Sequence, residues 1–298
     1  MPAACEVLQL GLRLFWPACT AAVALTVLDA PVPAAFKAAV RLSAARGKTW
    51  GEQPAGGAAL LAGLSVPHAW FWHFYAVGVA ANSATLAAVL LGGAALIPAV
   101  LPIAALQTHL LRRLLESTCL ARYPPGARMH LFAYLFGLAY YVLLSCSLLP
   151  CSVCALASAL PSLHNSSAGA ALGRMRDAAA AASPAALLGL AIVAAGQALQ
   201  GASHVQLARL PSGEGGAGNA YVVPRGGLFD LVSCPHYFAE IVIYVGFAVL
   251  LKGRGAVLLV LAWVVLNLVL GARAMHAWYR RKFDGYPRSR KALVPFVW

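Results

Sequence analysis

The sequence predicts an all-α fold, a multi-pass membrane protein of about seven transmembrane helices around a polar cavity, and three observations carry that expectation. Of 298 residues, 61% are hydrophobic and only 10% charged, with a mean hydropathy of +0.76; a typical soluble domain carries roughly one-quarter charged residues. The stretches 53–111, 129–173 and 178–208 contain no Asp, Glu, Lys or Arg, and each exceeds the about 20 mostly apolar residues that one crossing needs. Polar side chains are rare inside the apolar runs, yet several recur at helical spacing.

Taken in order, the apolar runs bounded by charge, Pro or Gly place spans near 7–28, 64–81, 86–106, 131–149, 185–208, 237–251 and 256–273. The first lacks the short basic start of a signal peptide and contains Arg13 and Pro17, so it reads as a retained helix. The second is interrupted by Pro67, His68 and His73, and the sixth is short and holds Glu240. Both therefore border a polar cavity. Ser183-Pro184 marks the start of the fifth helix after an Ala-rich piece, and 211–218 is a Gly-rich turn. The whole chain, 1–298, reads as one integral-membrane domain.

The formal net charge is +13. In a soluble chain it would point to nucleic acid; in a membrane chain it marks a face near anionic lipid or a site for a phosphorylated ligand, and nucleic acid is not expected. Residues 273–298 hold seven Lys and Arg against Asp284 alone, which predicts a cytoplasmic C-terminus. Their interleaving with His276, Trp278, Tyr279, Phe283, Tyr286 and Phe296 suits a folded, ligand-facing tail. The seven cysteines do not form a disulfide framework, and Cys151 and Cys154 have no second pair at zinc-site spacing, so no metal is expected.

Intramembrane polar groups are costly and face the bundle interior, pair with one another or serve function. His73 lies in WFWHFY, His109 in LQTHLLRR, Gln197, Gln200 and His204 in GQALQGASH, and His236 and Glu240 in VSCPHYFAEI, with Asn267 in the last run. Gln197, Gln200 and His204 share one helix face by their spacing of three and four, and His236 and Glu240 share another. Two such stripes meeting in one cavity fit a large polar cofactor. They fit a proton-coupled transporter equally well, and the residues alone leave both open.

The order of motifs adds a resemblance. VPRGGLFDLVSCPHYFAEIVIYVGFAV followed by WYRRKFDGYPRSRKALVPFVW is similar to the C-terminal half of the steroid 5-alpha-reductase family, with YPRSRKALVPF as its specific signature. FGLAYYVL, LLRRLLES and RGKTWGE extend the likeness upstream. VPHAWFWHFY and SCPHYFAEI resemble the polyprenol-reducing branch; steroid-reducing members have a Gln-Glu pair at the His73-Phe74 positions.

The resemblance implies a multi-pass enzyme of the endoplasmic reticulum whose helices enclose a cofactor and substrate cavity. It would use NADPH to saturate the alpha-isoprene double bond of a long-chain polyprenol on the way to dolichol, the carrier for protein N-glycosylation. It further implies a cofactor-binding half at 179–298, with Gln200, His204, His236, Glu240, Tyr279, Arg290 and Lys291 on the cofactor, and Arg112 as a phosphate contact. His73, His109 and Tyr75 would hold the substrate oxygen. Two positions depart from the pattern: Val222 stands where Arg is common, and Gly201 where bulkier residues are usual. Membrane lipid is the expected surrounding, and no obligate protein partner is implied.

Chemistry narrows the substrate. Hydride adds to an alkene only where the accepting carbon is electrophilic, and a free allylic alcohol lacks that activation. The corresponding aldehyde, polyprenal, is conjugated and is polarised by any donor to its oxygen. Three other readings stay open: a steroid or enoyl-thioester reductase of the same architecture, a membrane isoprenylcysteine methyltransferase, which also has a His/Pro/Tyr turn before a helix with a nearby Glu, and a transporter. Substrate competition, the choice between NADPH and S-adenosylmethionine, and flux without NADPH separate them.

Overall fold

A computed structural model describes residues 2–44, 63–92, 94–123, 126–149, 167–210 and 221–297. The RGKTWGE stretch, Cys151, Cys154 and the 211–218 turn lie outside them. Among the described residues the chain is almost wholly helical. The elements are α1 (Pro2–Val27), α2 (Ala34–Ala44), α3 (Trp72–Leu91), α4 (Ile97–Leu115), α5 (Leu131–Ser147), α6 (Ala168–Ala180), α7 (Pro184–Ala208), α8 (Pro235–Leu250) and α9 (Val257–Lys282). A short antiparallel pair, β1 (Ser65–Pro67) and β2 (Arg128–His130), ties the start of α3 to the start of α5, with Val66 opposite Met129.

By length and composition, five stretches among the described residues suffice to cross a membrane: Glu6–Val27, His68–Leu91, Ala94–Leu120, Pro184–Ala208 and Val257–Lys282. Two shorter apolar helices, Leu131–Ser147 and Pro235–Leu250, accompany them, giving the bundle expected from the hydropathy pattern. At 1.5 Å per residue the shorter pair reach roughly 24–26 Å, just under the about 30 Å hydrocarbon core. Exposed leucines such as Leu14, Leu187 and Leu188 face outward, as a helix turned toward lipid requires.

The second and third spans differ from the hydropathy reading. The helix break falls at Gly92 and not near residue 82, and α4 continues through His109, Arg112 and Arg113 to Leu115. Asn82 lies within α3 there, and its amide nitrogen is taken up by α4: Nδ2 donates to Ile103 O at 3.0 Å and to Gln107 Oε1 at 2.7 Å. The cationic end of α4 is kept inside by partners described below. Helix α6 lies in a stretch to which the apolar pattern assigned no span; Ser167 caps it by accepting from Ala170 N at 3.2 Å. Ser183 caps α7 in the same way, with Pro184 in its first turn, as the Ser-Pro pair predicts.

Helices α7 and α8 approach most closely. A Cβ on Gly196 would stand 2.9 Å from Ile243 N, and one on Gly246 would stand 2.7 Å from Val193 N. Small residues let backbones meet where lipid removes the hydrophobic drive between helices. Polar pairs fix the remaining neighbours: Trp16 Nε1 donates to Ser147 Oγ at 2.9 Å, Tyr140 and Tyr244 share a hydroxyl hydrogen bond of 2.5 Å, and Arg273 Nη1 donates to Val27 O at 3.0 Å. Helix α4 joins α7 through Arg112, bonded to Gln197 and Gln200, so the polar faces of α4, α7 and α8 meet.

Candidate active site

Helix α4 contributes the cationic side. After an apolar run, His109, Arg112 and Arg113 fall within one turn and Glu116 follows at three and four residues from the arginines, so all of them reach one patch. The helix widens at Glu116–Leu120, where Ala121 N donates back five residues to Glu116 O at 2.8 Å. Such π-turns often sit at functional positions. Glu116 is buried and takes charge from both sides. Its Oε1 accepts from Arg112 Nη1, and its Oε2 accepts from Arg113 Nη1 at 2.5 Å and lies 2.7 Å from His204 Nδ1. Arg113 Nη1 also stands 2.7 Å from that same nitrogen. One ring nitrogen either donates or accepts, so His204 bonds to one of the two according to its tautomer.

Helix α7 contributes amides. Gln200 is buried; its Oε1 accepts from Arg112 Nη2 and its Nε2 donates to Glu240 Oε2 on α8. Gln197 Oε1 accepts from Arg112 Nε at 3.3 Å. The stripe read from the sequence thus joins α4 to α8. Gly201 faces the Arg112–Glu116 pair: a Cβ there would stand 3.4 Å from Glu116 Oε1. His109 lies behind Glu240, Nε2 to Oε1 3.7 Å, and that buried nitrogen has no hydrogen-bond partner among the described residues.

These groups form the polar end of a cavity of about 560 Å³ lined by Tyr75, Arg113, Gln200, His204, His236, Glu240 and Asn267. The rest of its wall is apolar and aromatic, from Tyr140, Tyr141, Phe136 and Trp263 to Val23, Phe36, Phe132 and Leu270. Phe36 and Phe132 are exposed, so the cavity reaches the surface between α2 and α5. The Tyr75 hydroxyl at the polar end accepts from Arg113 Nε at 3.1 Å and Nη2 at 2.7 Å.

Of the residues singled out in the sequence, Tyr75, Gln200, His204, His236 and Glu240 share this cavity. His109 and Arg112 support it from behind. His73 does not line it; its Nδ1 is 2.8 Å from the Tyr134 hydroxyl. Tyr279, Arg290 and Lys291 belong to the C-terminal segment, which is fastened to the loop before α8. Ser233 N donates to Lys291 O at 2.8 Å and Lys291 N to Leu231 O at 2.9 Å. Ser233 Oγ joins His276 Nδ1 at 2.7 Å and the Tyr286 hydroxyl at 2.6 Å, and Tyr279 stacks on Tyr286 with centroids 5.3 Å apart. The buried Arg290 donates from Nη1 to Pro224 O at 3.1 Å, while its Nε has no hydrogen-bond partner among the described residues. Val222 is exposed.

Arg113 and Glu116 were missing from the sequence-based set. Their signal was present in RRLLE: two cations and one acid at helical pair spacing beside a long charge-free run. Outside the spans, the hydrogen bond and charge of Lys37 hold Asp29 below the usual carboxylate range. Burial pushes the Tyr123 phenol, just past the π-turn, up to about 12.

The family described as 3-oxo-5-alpha-steroid 4-dehydrogenase matches residues 165–298. Polyprenal reductase 1 of Oryza sativa subsp. indica is 31% identical, covering 97% of this chain and 98% of its own. Polyprenal reductase of Caenorhabditis elegans is 31% identical over 78% of this chain and 80% of its own, and that of Xenopus tropicalis 32% identical with the same coverage.

Proposed function

Because the chain belongs to the steroid 5-alpha-reductase family, alongside its polyprenal reductases, we propose that it reduces the alpha-isoprene double bond of polyprenal with NADPH. The observation that carries this reading is the two-ended cavity. A polar end of Tyr75, Arg113, Gln200, His204, His236 and Glu240 meets an aromatic, apolar passage that reaches the surface at Phe36 and Phe132. An aldehyde head suits the first and an isoprenoid chain the second. With only 560 Å³, within the usual range of small-ligand pockets, a long polyprenyl chain must continue out into lipid.

The donor set fits a dinucleotide phosphate cofactor. Arg290 is buried with an Nε that no described residue satisfies, and a buried cation with a spare donor suits a phosphate oxygen. Tyr279, Arg290 and Lys291 would hold the phosphate-bearing part and Gln200, His204, His236 and Glu240 the polar ring part, with Arg112, expected as a phosphate contact, given instead to Gln197, Gln200 and Glu116 behind the wall. When bound, the reduced nicotinamide supplies the hydride.

The remaining chemistry belongs to the chain's own side chains. Tyr75 donates to the aldehyde oxygen, drawing electron density from the beta carbon and stabilising the charge that collects on oxygen after hydride arrives there. The alpha carbon then takes a proton. His109 backs Glu240 from behind the cavity wall, and His73, bonded to Tyr134, orders the start of α3 beside Tyr75. In the endoplasmic reticulum membrane the basic segment 273–297 would face the cytoplasm, and the product would enter the dolichol route to protein N-glycosylation.

Cofactor binding tests this reading before turnover does. In detergent, NADPH raises the melting temperature of the purified protein and S-adenosylmethionine leaves it unchanged. The reverse pattern would assign a methyltransferase and overturn the proposal.

A further inference from the structure

Resting on that reading, we propose that Arg113 and Glu116 are positioning residues that aim the Tyr75 proton at the substrate oxygen. A phenol oxygen has one proton to give and accepts at two positions at most. At Tyr75 the acceptor side is taken by one guanidinium, which donates from Nε across 3.1 Å and from Nη2 across 2.7 Å. The Tyr75 O–H therefore points away from Arg113. Its neighbour on the cavity wall is Tyr141, ring centroids 5.1 Å apart. With its acceptor side filled by Arg113, this cavity-lining phenol has its proton left for a partner in the cavity.

The clamp depends on the shape of arginine. A guanidinium presents two N–H groups side by side in a rigid plane, whereas an ammonium is a rotating point charge. Glu116 fixes the other edge of the plane, accepting from Arg113 Nη1 at 2.5 Å while Arg112 and His204 flank it. It also neutralises Arg113, which would otherwise attract the substrate oxygen or a phosphate itself. A donor that needs no reorientation as charge develops gives the largest stabilisation, and this cluster supplies that orientation in advance.

The test uses the full chain in lipid nanodiscs. Arg113→Lys keeps a partner for Glu116 and loses the paired donors; Glu116→Gln keeps the shape and loses the charge. Each should lower kcat by about tenfold or more and add no further loss in a Tyr75→Phe background, and Arg113→Lys, which keeps the charge, should leave NADPH affinity unchanged. A readout without turnover is the carbonyl stretch of a ¹³C-labelled unsaturated aldehyde bound with NADP⁺. In both variants it should move to the value found in Tyr75→Phe, and in Tyr141→Phe it should stay at the wild-type value. A fall in NADPH affinity with the stretch unmoved would overturn the clamp and make Arg113 a cofactor ligand, with the reductase reading intact. A stretch identical in wild type and Tyr75→Phe would overturn the Tyr75 role and this inference together.

Discussion

His109 Nε2 lies 3.7 Å from Glu240 Oε1, and both side chains come from helices that the sequence separates by more than a hundred residues. Glu240 receives its actual hydrogen bond from Gln200 Nε2, so one carboxylate collects α4, α7 and α8 at the end of the cavity. Charge, and not shape, is what distinguishes it from the amide next to it.

Glu240→Gln therefore weakens NADPH binding with little change in fold. Hydrogen bonds to a charged acceptor contribute about 1.5–3 kcal/mol against about 1 for neutral ones, so the affinity should fall by roughly tenfold. Quenching of tryptophan fluorescence by NADPH measures it. An unchanged affinity removes Glu240 from the cofactor set.

His109→Ala acts on turnover. The imidazole is buried outside the cavity lining, against Glu240 and within 3.4 Å of Arg112 Nη2. Its loss frees both groups to shift without removing a ligand contact, so kcat should fall by about tenfold or more while KM for the aldehyde holds, since small displacements near the reacting groups are costly. Steady-state kinetics with the melting temperature as control checks this; a change in KM alone contradicts it.

Gly246→Val tests the scaffold. A side chain there meets Val193 N at 2.7 Å, backbone that cannot swing aside. Overpacking costs about 1–3 kcal/mol, so the variant should melt lower in detergent and lose NADPH affinity together with stability. A variant with wild-type melting would show that α7 and α8 do not pack through this glycine.

Much of this was legible in the amino-acid pattern, because bilayer physics is severe. Charge-free runs mark the spans, and the three- and four-residue spacing of Gln197, Gln200 and His204 places them on one face. His73 stands away from the cavity lining for a reason the sequence does not show: its partner, Tyr134, comes from another helix. The end of α4 was hidden because hydropathy counts Arg112, Arg113 and Glu116 as three separate charges, whereas in the fold both arginines share one buried carboxylate. Tyr75 was visible as a polar tip, but its acceptor side filled by Arg113 is a property of the fold alone.

The most direct measurement supplies purified protein with a long-chain polyprenal and NADPH carrying deuterium at the transferable position, and follows the product by mass spectrometry. Polyprenal should gain one deuterium at the beta carbon and one solvent hydrogen at the alpha carbon, while polyprenol under the same conditions, free of any dehydrogenase, remains unreduced. Turnover of the alcohol would contradict the aldehyde mechanism, and no label transfer to either lipid would contradict the reductase itself.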